Sequence, residues 1–378
     1  MNSDVQKLVQ EAADRLVETG AERGLQVAAY RHGEQVVDVV AGVADPATGR
    51  PVTPGTPFYS ASTGKGVTAT VVHVLVERGV LGYDTPIAEL WPEFGAHGKE
   101  RATVRHALTH SAGVPGVPVA TTPDDLCDWE GMCASIAAAV PWWEPGTRTG
   151  YHAHSYGHIL GEVVRRATGT PISHVLRQEV AGPLGVADEL FFGVPASELG
   201  RLALLEDPPG GTHAEMPAEM LAVIPFFRVV DGYTAAPMAA MPDAAFGNRA
   251  DVLTSDIPAG GTMSARAVAR MYAALMTEVD GVRLVSAERL REITAVAVAG
   301  TDEIIGRPVR RGLGYALGAT ERLDAPTLFG MAGSGGSAAY ADTATGTAVA
   351  VTKNLVRNGD FGTFDTLAGI VLEAARDR

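Results

Sequence analysis

Ser62 and Lys65 stand three residues apart in the stretch Phe58-Tyr59-Ser60-Ala61-Ser62-Thr63-Gly64-Lys65, which runs into an apolar-periodic segment over 67–75. On a helix that spacing brings both side chains to one face, within reach of each other. A serine hydroxyl is a weak nucleophile until a neighbouring base takes its proton, and a lysine amine is one way to supply that base. The chain holds four lysines and thirteen serines, and this is its only Ser-x-x-Lys. A plainer role also suits the pair: Ser62 caps the helix and Lys65 is a solvated side chain of the first turn. That role is strained, because a first-turn lysine faces the positive end of the helix dipole.

The elements around this pair follow from periodicity. Val5, Leu8, Val9, Ala12, Leu16 and Val17 recur at helical spacing before Gly20. Two β-rich runs, 25–30 and 35–40, flank Gly33 and read as a hairpin. The middle of the chain reads as helices: 103–112, 123–140, 155–169, 172–181, 264–278 and 286–293. Short strands are expected at 314–318, 328–331, 337–341 and 347–353, with a closing helix over 361–375. Strands at both ends can share one antiparallel sheet with helices on its faces. The fold class is therefore α/β in the α+β sense. Residues 1–62 and 265–378 are expected to form the sheet domain, and 63–264 a mainly helical inserted subdomain. Residues 206–262 are irregular and rich in Pro, Gly, Met and Phe, which suggests a binding loop or lid. The seam between the two parts is the natural place for a site.

The bulk composition excludes several classes. A net charge of −14 and no basic run argue against a nucleic-acid partner or an anionic membrane surface. No apolar run reaches membrane-spanning length. The start has no basic n-region and no apolar h-region, so a cytoplasmic location is expected. Cys127 and Cys133 are six apart in a helical stretch and read as reduced, buried thiols.

Four stretches in order resemble the serine β-lactamase-related superfamily, and most closely its class C β-lactamase-like carboxylesterases, the family VIII esterases. They are 56–65, with Ser62 and Lys65; 103–113, Thr-Val-Arg-His-Ala-Leu-Thr-His-Ser-Ala-Gly; Pro145-Gly146-Thr147-Arg148-Thr149-Gly150-Tyr151; and Gly333-Ser334-Gly335-Gly336-Ser337. The resemblance implies a β-lactamase/transpeptidase-like fold and an acyl-enzyme chemistry without a cofactor. It implies Ser62 as nucleophile, Lys65 as its partner, Tyr151 as a proton relay, and an oxyanion hole from the backbone N–H groups of Ser62 and Ser334. Two departures stand out. Tyr151-His152-Ala153 lacks the asparagine of the usual second motif, and Met331-Ala332-Gly333 lacks the cation of the third. A cation there would bind a substrate carboxylate, so Met331 argues against β-lactams and D-alanyl peptides. It also leaves Lys65 as the only evident cation near Tyr151.

His152, His154, Trp143, Phe227, Met331 and Gly333 are then the expected substrate-binding residues. Phe226, Met238, Met241, Trp142 and Tyr233 are further candidates for an apolar acyl pocket. His152, His154 and His158 cluster, but no Asp or Cys joins them, so no metal site is expected. His106 and His110 read as structural. The expected activity is a serine hydrolase acting on a small ester or amide. An acyltransferase passing the acyl group to an alcohol or amine uses the same intermediate, and an inactive binding protein is the third option. Nothing in the sequence sets an oligomeric state.

Overall fold

The computed structural model describes residues 2–211, 224–318 and 325–376. Part of the expected lid, 212–223, lies outside the described residues.

A nine-stranded antiparallel sheet forms the frame. Its strands are β1 (Gly24–Arg31), β2 (Glu34–Asp45), β3 (Arg50–Pro51), β4 (Val298–Thr301), β5 (Pro308–Arg311), β6 (Ala316–Leu317), β7 (Leu328–Ala332), β8 (Ala338–Asp342) and β9 (Thr347–Lys353). Their spatial order is β4-β5-β6-β7-β8-β9-β1-β2-β3. The two ends of the chain meet where β1 pairs with β9, with Val27 opposite Val351. Side chains alternate across the sheet. Leu25, Val27, Ala29, Val349 and Val351 pack against the terminal helices α1 (Asn2–Glu18) and α5 (Gly362–Arg376). Ala28, Tyr30, Phe329, Ala348 and Ala350 face the other way, onto a core shared with the helical middle of the chain. That core crosses the expected 62/63 boundary without a break.

Three helices matter for the site: α2 (Gly64–Glu77), α3 (Ser155–Thr168) and α4 (Ala265–Met276). Residues 64–76 of α2 are all buried, so this helix is central rather than amphipathic. Each large side chain it buries contributes about 1.5–3 kcal/mol relative to exposure, which makes α2 a stiff mount for what precedes it. Two sequence expectations need revision. The stretch 123–140 is two helices, Pro123–Cys127 and Trp129–Ala138, because Asp128 adopts extended backbone and caps the second by accepting from Gly131 N–H at 3.1 Å. Strands β4 and β5 extend the sheet where no strand is expected. Cys133 is buried and Cys127 half-buried, and both are free thiols.

Candidate active site

Ser62 sits in a 3₁₀ turn, Ala61–Thr63, that leads directly into α2. Ala61 has φ +44°, a left-handed value that an alanine holds at a cost of about 1–3 kcal/mol. Both flanks hold it there. Ser60 N–H donates to Gly261 O at 2.8 Å, and Thr63 Oγ1 donates to Ser337 O at 3.0 Å. The second bond ties the turn to the residue just before β8. Gly333 makes the approach possible: a Cβ there would lie 2.2 Å from Ser60 O.

Lys65 is 1% exposed. Its Nζ lies 2.9 Å from Ser62 Oγ and 2.8 Å from Ala259 O, to which it donates. It also sits 5.0 Å from the centroid of the Tyr151 ring. Burial lowers its pKa to about 7, so near neutral pH much of it is the free amine. Tyr151 lines the same lobe as Ser62, close enough for the Ser62 hydroxyl to lower its pKa. Burial pushes its phenol up to about 12, against the lowering effects of the Ser62 side chain and of Arg311. Tyr151 is therefore a neutral phenol at physiological pH.

Tyr151 is anchored from the far edge of the sheet. Its backbone N–H donates to Asp302 Oδ1 at 3.1 Å. The same oxygen accepts from Ile304 N–H and Ile305 N–H. Asp302 Oδ2 accepts from Arg311, whose other nitrogen donates to Thr149 Oγ1 at 2.8 Å. The pair is buried, with Arg311 8% and Asp302 0% exposed. His110 packs on the Tyr151 ring at 4.9 Å between centroids.

Around these groups lies a cavity in two lobes. The first, about 380 Å³, is lined by Ser62, Tyr151, His154 and Ser334 with an apolar wall that includes Phe226, Met241, Phe246 and Ile257. The second, about 560 Å³, is lined by His110, Met331, Tyr340, Arg310 and Arg311 among others. Tyr151, Ile305, Arg307, Ala332 and Phe361 border both. Ser334 Oγ is buried without a hydrogen-bond partner among the described residues.

The beta-lactamase family model matches residues 9–372. The chain belongs to the beta-lactamase family. Among curated proteins, "Esterase/beta-lactamase LipL" of Mycobacterium tuberculosis (strain ATCC 25618 / H37Rv) is 34% identical over 342 residues, 88% of this chain and 77% of that one. A solved family VIII carboxylesterase superposes with a TM-score of 0.86 at 32% identity, covering 99% of this chain and 97% of that chain. EstA from Arthrobacter nitroguajacolicus Rue61a gives 0.84 at 27% identity, covering 98% and 96%. The fold is accordingly β-lactamase/transpeptidase-like, a large antiparallel sheet with flanking helices and a helical insert.

Within this beta-lactamase-family frame, the expected site residues divide. Ser62, Lys65 and Tyr151 come together, and Ser334 and His154 line the same lobe as Ser62. Met331 lines the second lobe, with its Cβ toward Gly66 of α2. His154 is held neutral: burial lowers its pKa to about 3, with smaller contributions from Lys65 and His158. His152 does not face the cavity. It is fully buried, accepts Val114 N–H on Nε2 at 3.2 Å and contacts Gly150 O through Nδ1 at 2.6 Å. Its ring is therefore a brace between two loops. Trp143 lies behind Tyr151 in a cluster with Ala235 and Ile304, and Gly333 serves the turn rather than the cavity surface. Phe226 reaches the first lobe, and Phe227 stands edge-on to it at 5.5 Å. Of the other aromatic and methionine candidates, Met241 lines the first lobe; Trp142 packs in the Trp143 cluster.

One expectation is overturned. Lys65 is not the only cation near Tyr151, because β5 carries Arg311 to it and the loop before β5 brings Arg307 to the border of both lobes. No local signal could reveal this, since Arg311 and Tyr151 are 160 residues apart and meet only through sheet topology. Tyr59, Phe246 and Ile257 are also lining residues that the sequence reading missed. Among the described residues no group of three or more His, Cys, Asp or Glu side chains is placed to hold a metal ion. No described helix is long and apolar enough to cross a membrane.

Proposed function

We propose that this protein is a serine hydrolase that cleaves a small carboxylic ester through an acyl-Ser62 intermediate. The observation that carries the reading is the buried Lys65 amine, 2.9 Å from Ser62 Oγ and with a pKa lowered to about 7. A neutral amine at that distance can accept the hydroxyl proton as Ser62 attacks. Ala259 O takes one of its N–H donors, which orients the lone pair toward Ser62.

The remaining steps draw on residues around the same lobe. Ser62 Oγ adds to the ester carbonyl, and the backbone N–H groups of Ser62 and Ser334 receive the developing oxyanion. Tyr151, a neutral phenol beside Lys65 and in the same lobe as Ser62, passes the proton from Lys65 to the departing alkoxide. The C–O bond breaks and the alcohol leaves. Water then attacks the acyl-serine, and its proton returns through the same pair as Ser62 is released with a carboxylic acid. Similarity to LipL and to a family VIII carboxylesterase supports the choice of ester. The apolar wall of the first lobe suits an acyl chain or an aromatic alcohol.

The test is covalent. A fluorophosphonate or p-nitrophenyl ester is expected to add one acyl or phosphonyl group to the protein, mapped by mass spectrometry to the peptide holding Ser62. Ser62→Ala is expected to take up none. A folded wild type that takes up none would point to an inactive scaffold. Faster turnover of the ester on adding alcohols or amines would point to acyl transfer.

A further inference from the structure

The charge on the cavity wall runs against the charge of the whole molecule. The chain has 44 acidic and 30 basic residues. Yet no Asp or Glu is among the described residues that line either lobe. Arg307, Arg310 and Arg311 all line the second lobe, and Arg307 borders the first as well. Arg311 is committed to Asp302 and Thr149. Arg307 and Arg310 have no ion pair or side-chain hydrogen bond among the described residues.

The Arg307 backbone is also held in place. Asp302 N–H donates to Arg307 O at 3.0 Å, and Gly306 N–H donates to Asp302 O at 2.8 Å. Since Asp302 also holds the backbone of Tyr151, one residue fixes the tether of Arg307 relative to the proton relay. Arg307 and Arg310 are exposed, and Ile305, Met331 and Phe361 line the same lobe. A guanidinium is a planar fork of donors suited to a carboxylate, and a lobe lined by both arginine and apolar residues suits a carboxylate on a short carbon chain. A wall with arginines and no Asp or Glu among its described residues also raises the local concentration of anions against the bulk field.

We infer that Arg307 and Arg310 select esters bearing a free carboxylate, which occupies the second lobe while the ester carbonyl meets Ser62. This names the substrate class of the proposed hydrolase and rests on that reading. It also changes the meaning of Met331: the cation missing at that position is replaced by guanidinium groups from β5 and the loop before it.

Two matched pairs test it, one on each side of the ester: p-nitrophenyl hemiglutarate against p-nitrophenyl pentanoate, and 4-carboxyphenyl acetate against phenyl acetate. At low salt the carboxylate is expected to raise kcat/KM in at least one pair by about five-fold or more, a size set by partly exposed ion pairing. That preference is expected to disappear in Arg307→Gln/Arg310→Gln and to be partly kept in Arg307→Lys/Arg310→Lys. No carboxylate preference in either pair, or one that survives the double glutamine variant, overturns the inference. Binding of the unhydrolysed esters to Ser62→Ala, measured by calorimetry, separates this from the hydrolase reading. Tighter binding of a carboxylate ester that is lost with both arginines supports the arginine wall even if wild type releases no p-nitrophenol, and equal binding rejects it even if wild type is active.

Discussion

Asp302 accepts the backbone N–H of Tyr151 at 3.1 Å while pairing with Arg311, so an edge-strand ion pair positions a residue 151 places earlier in the chain. Removing the carboxylate leaves a buried guanidinium uncompensated and frees the N–H groups of Tyr151, Ile304 and Ile305. Asp302→Ala is expected to lose about 3–5 kcal/mol of stability in urea unfolding and, as Tyr151 drifts, to slow acylation by an ethyl ester. Unchanged unfolding free energy would remove Asp302 from this role.

The lysine pKa sets a pH profile. Lys65 is protonated below about 7 and cannot then accept the Ser62 proton. The kcat/KM for a neutral ester is expected to rise with pH through about 7 and level off above it. Arginine does not deprotonate in this range, so Lys65→Arg is expected to be inactive at every pH. A profile flat between pH 6 and 8 would contradict the assignment.

Tyr151 makes a different prediction. A proton relay matters most when the leaving group is a strongly basic alkoxide. Tyr151→Phe is expected to slow an ethyl ester far more than a p-nitrophenyl ester with the same acyl group. Equal slowing would assign Tyr151 to orientation only.

Buried histidines predict acid sensitivity. Burial lowers His152 and His158 to about 4, His73 to about 3 and His110 well below its usual value. Below pH about 6.5 the unfolded chain takes up protons that the folded chain refuses, so stability is lost as pH falls toward the folded values. Each such proton contributes a slope of up to about 1.4 kcal/mol per pH unit. The urea midpoint is expected to drop between pH 7 and pH 5. His152→Ala is expected to flatten that drop and to lower stability at pH 7, by exposing the unmet Val114 N–H, with little effect on KM. A raised KM at unchanged stability would return His152 to substrate binding.

Local signals carried a good part of this architecture. Ser62 and Lys65 are legible because a helix converts a spacing of three into a contact. The sheet was legible where strands are buried and regular, as in β1 and β9. Strands β4 and β5 were not, because Val298–Thr301 and Pro308–Arg311 are mostly exposed and carry no apolar alternation. The arginine wall lies on that same segment, so missing the strands meant missing the charge. His152 was misplaced for a related reason: its neighbours Val114 and Gly150 come from loops whose packing no periodicity reports.

The central claim is that Lys65 activates Ser62, and the burst of p-nitrophenol in a single turnover tests it most directly. Wild type is expected to show one equivalent of burst per protein, with a rate that rises through pH about 7. Lys65→Ala is expected to slow that burst on the order of a hundred-fold or more, while Tyr151→Phe keeps most of it. A normal burst rate in Lys65→Ala together with its loss in Tyr151→Phe would contradict the account.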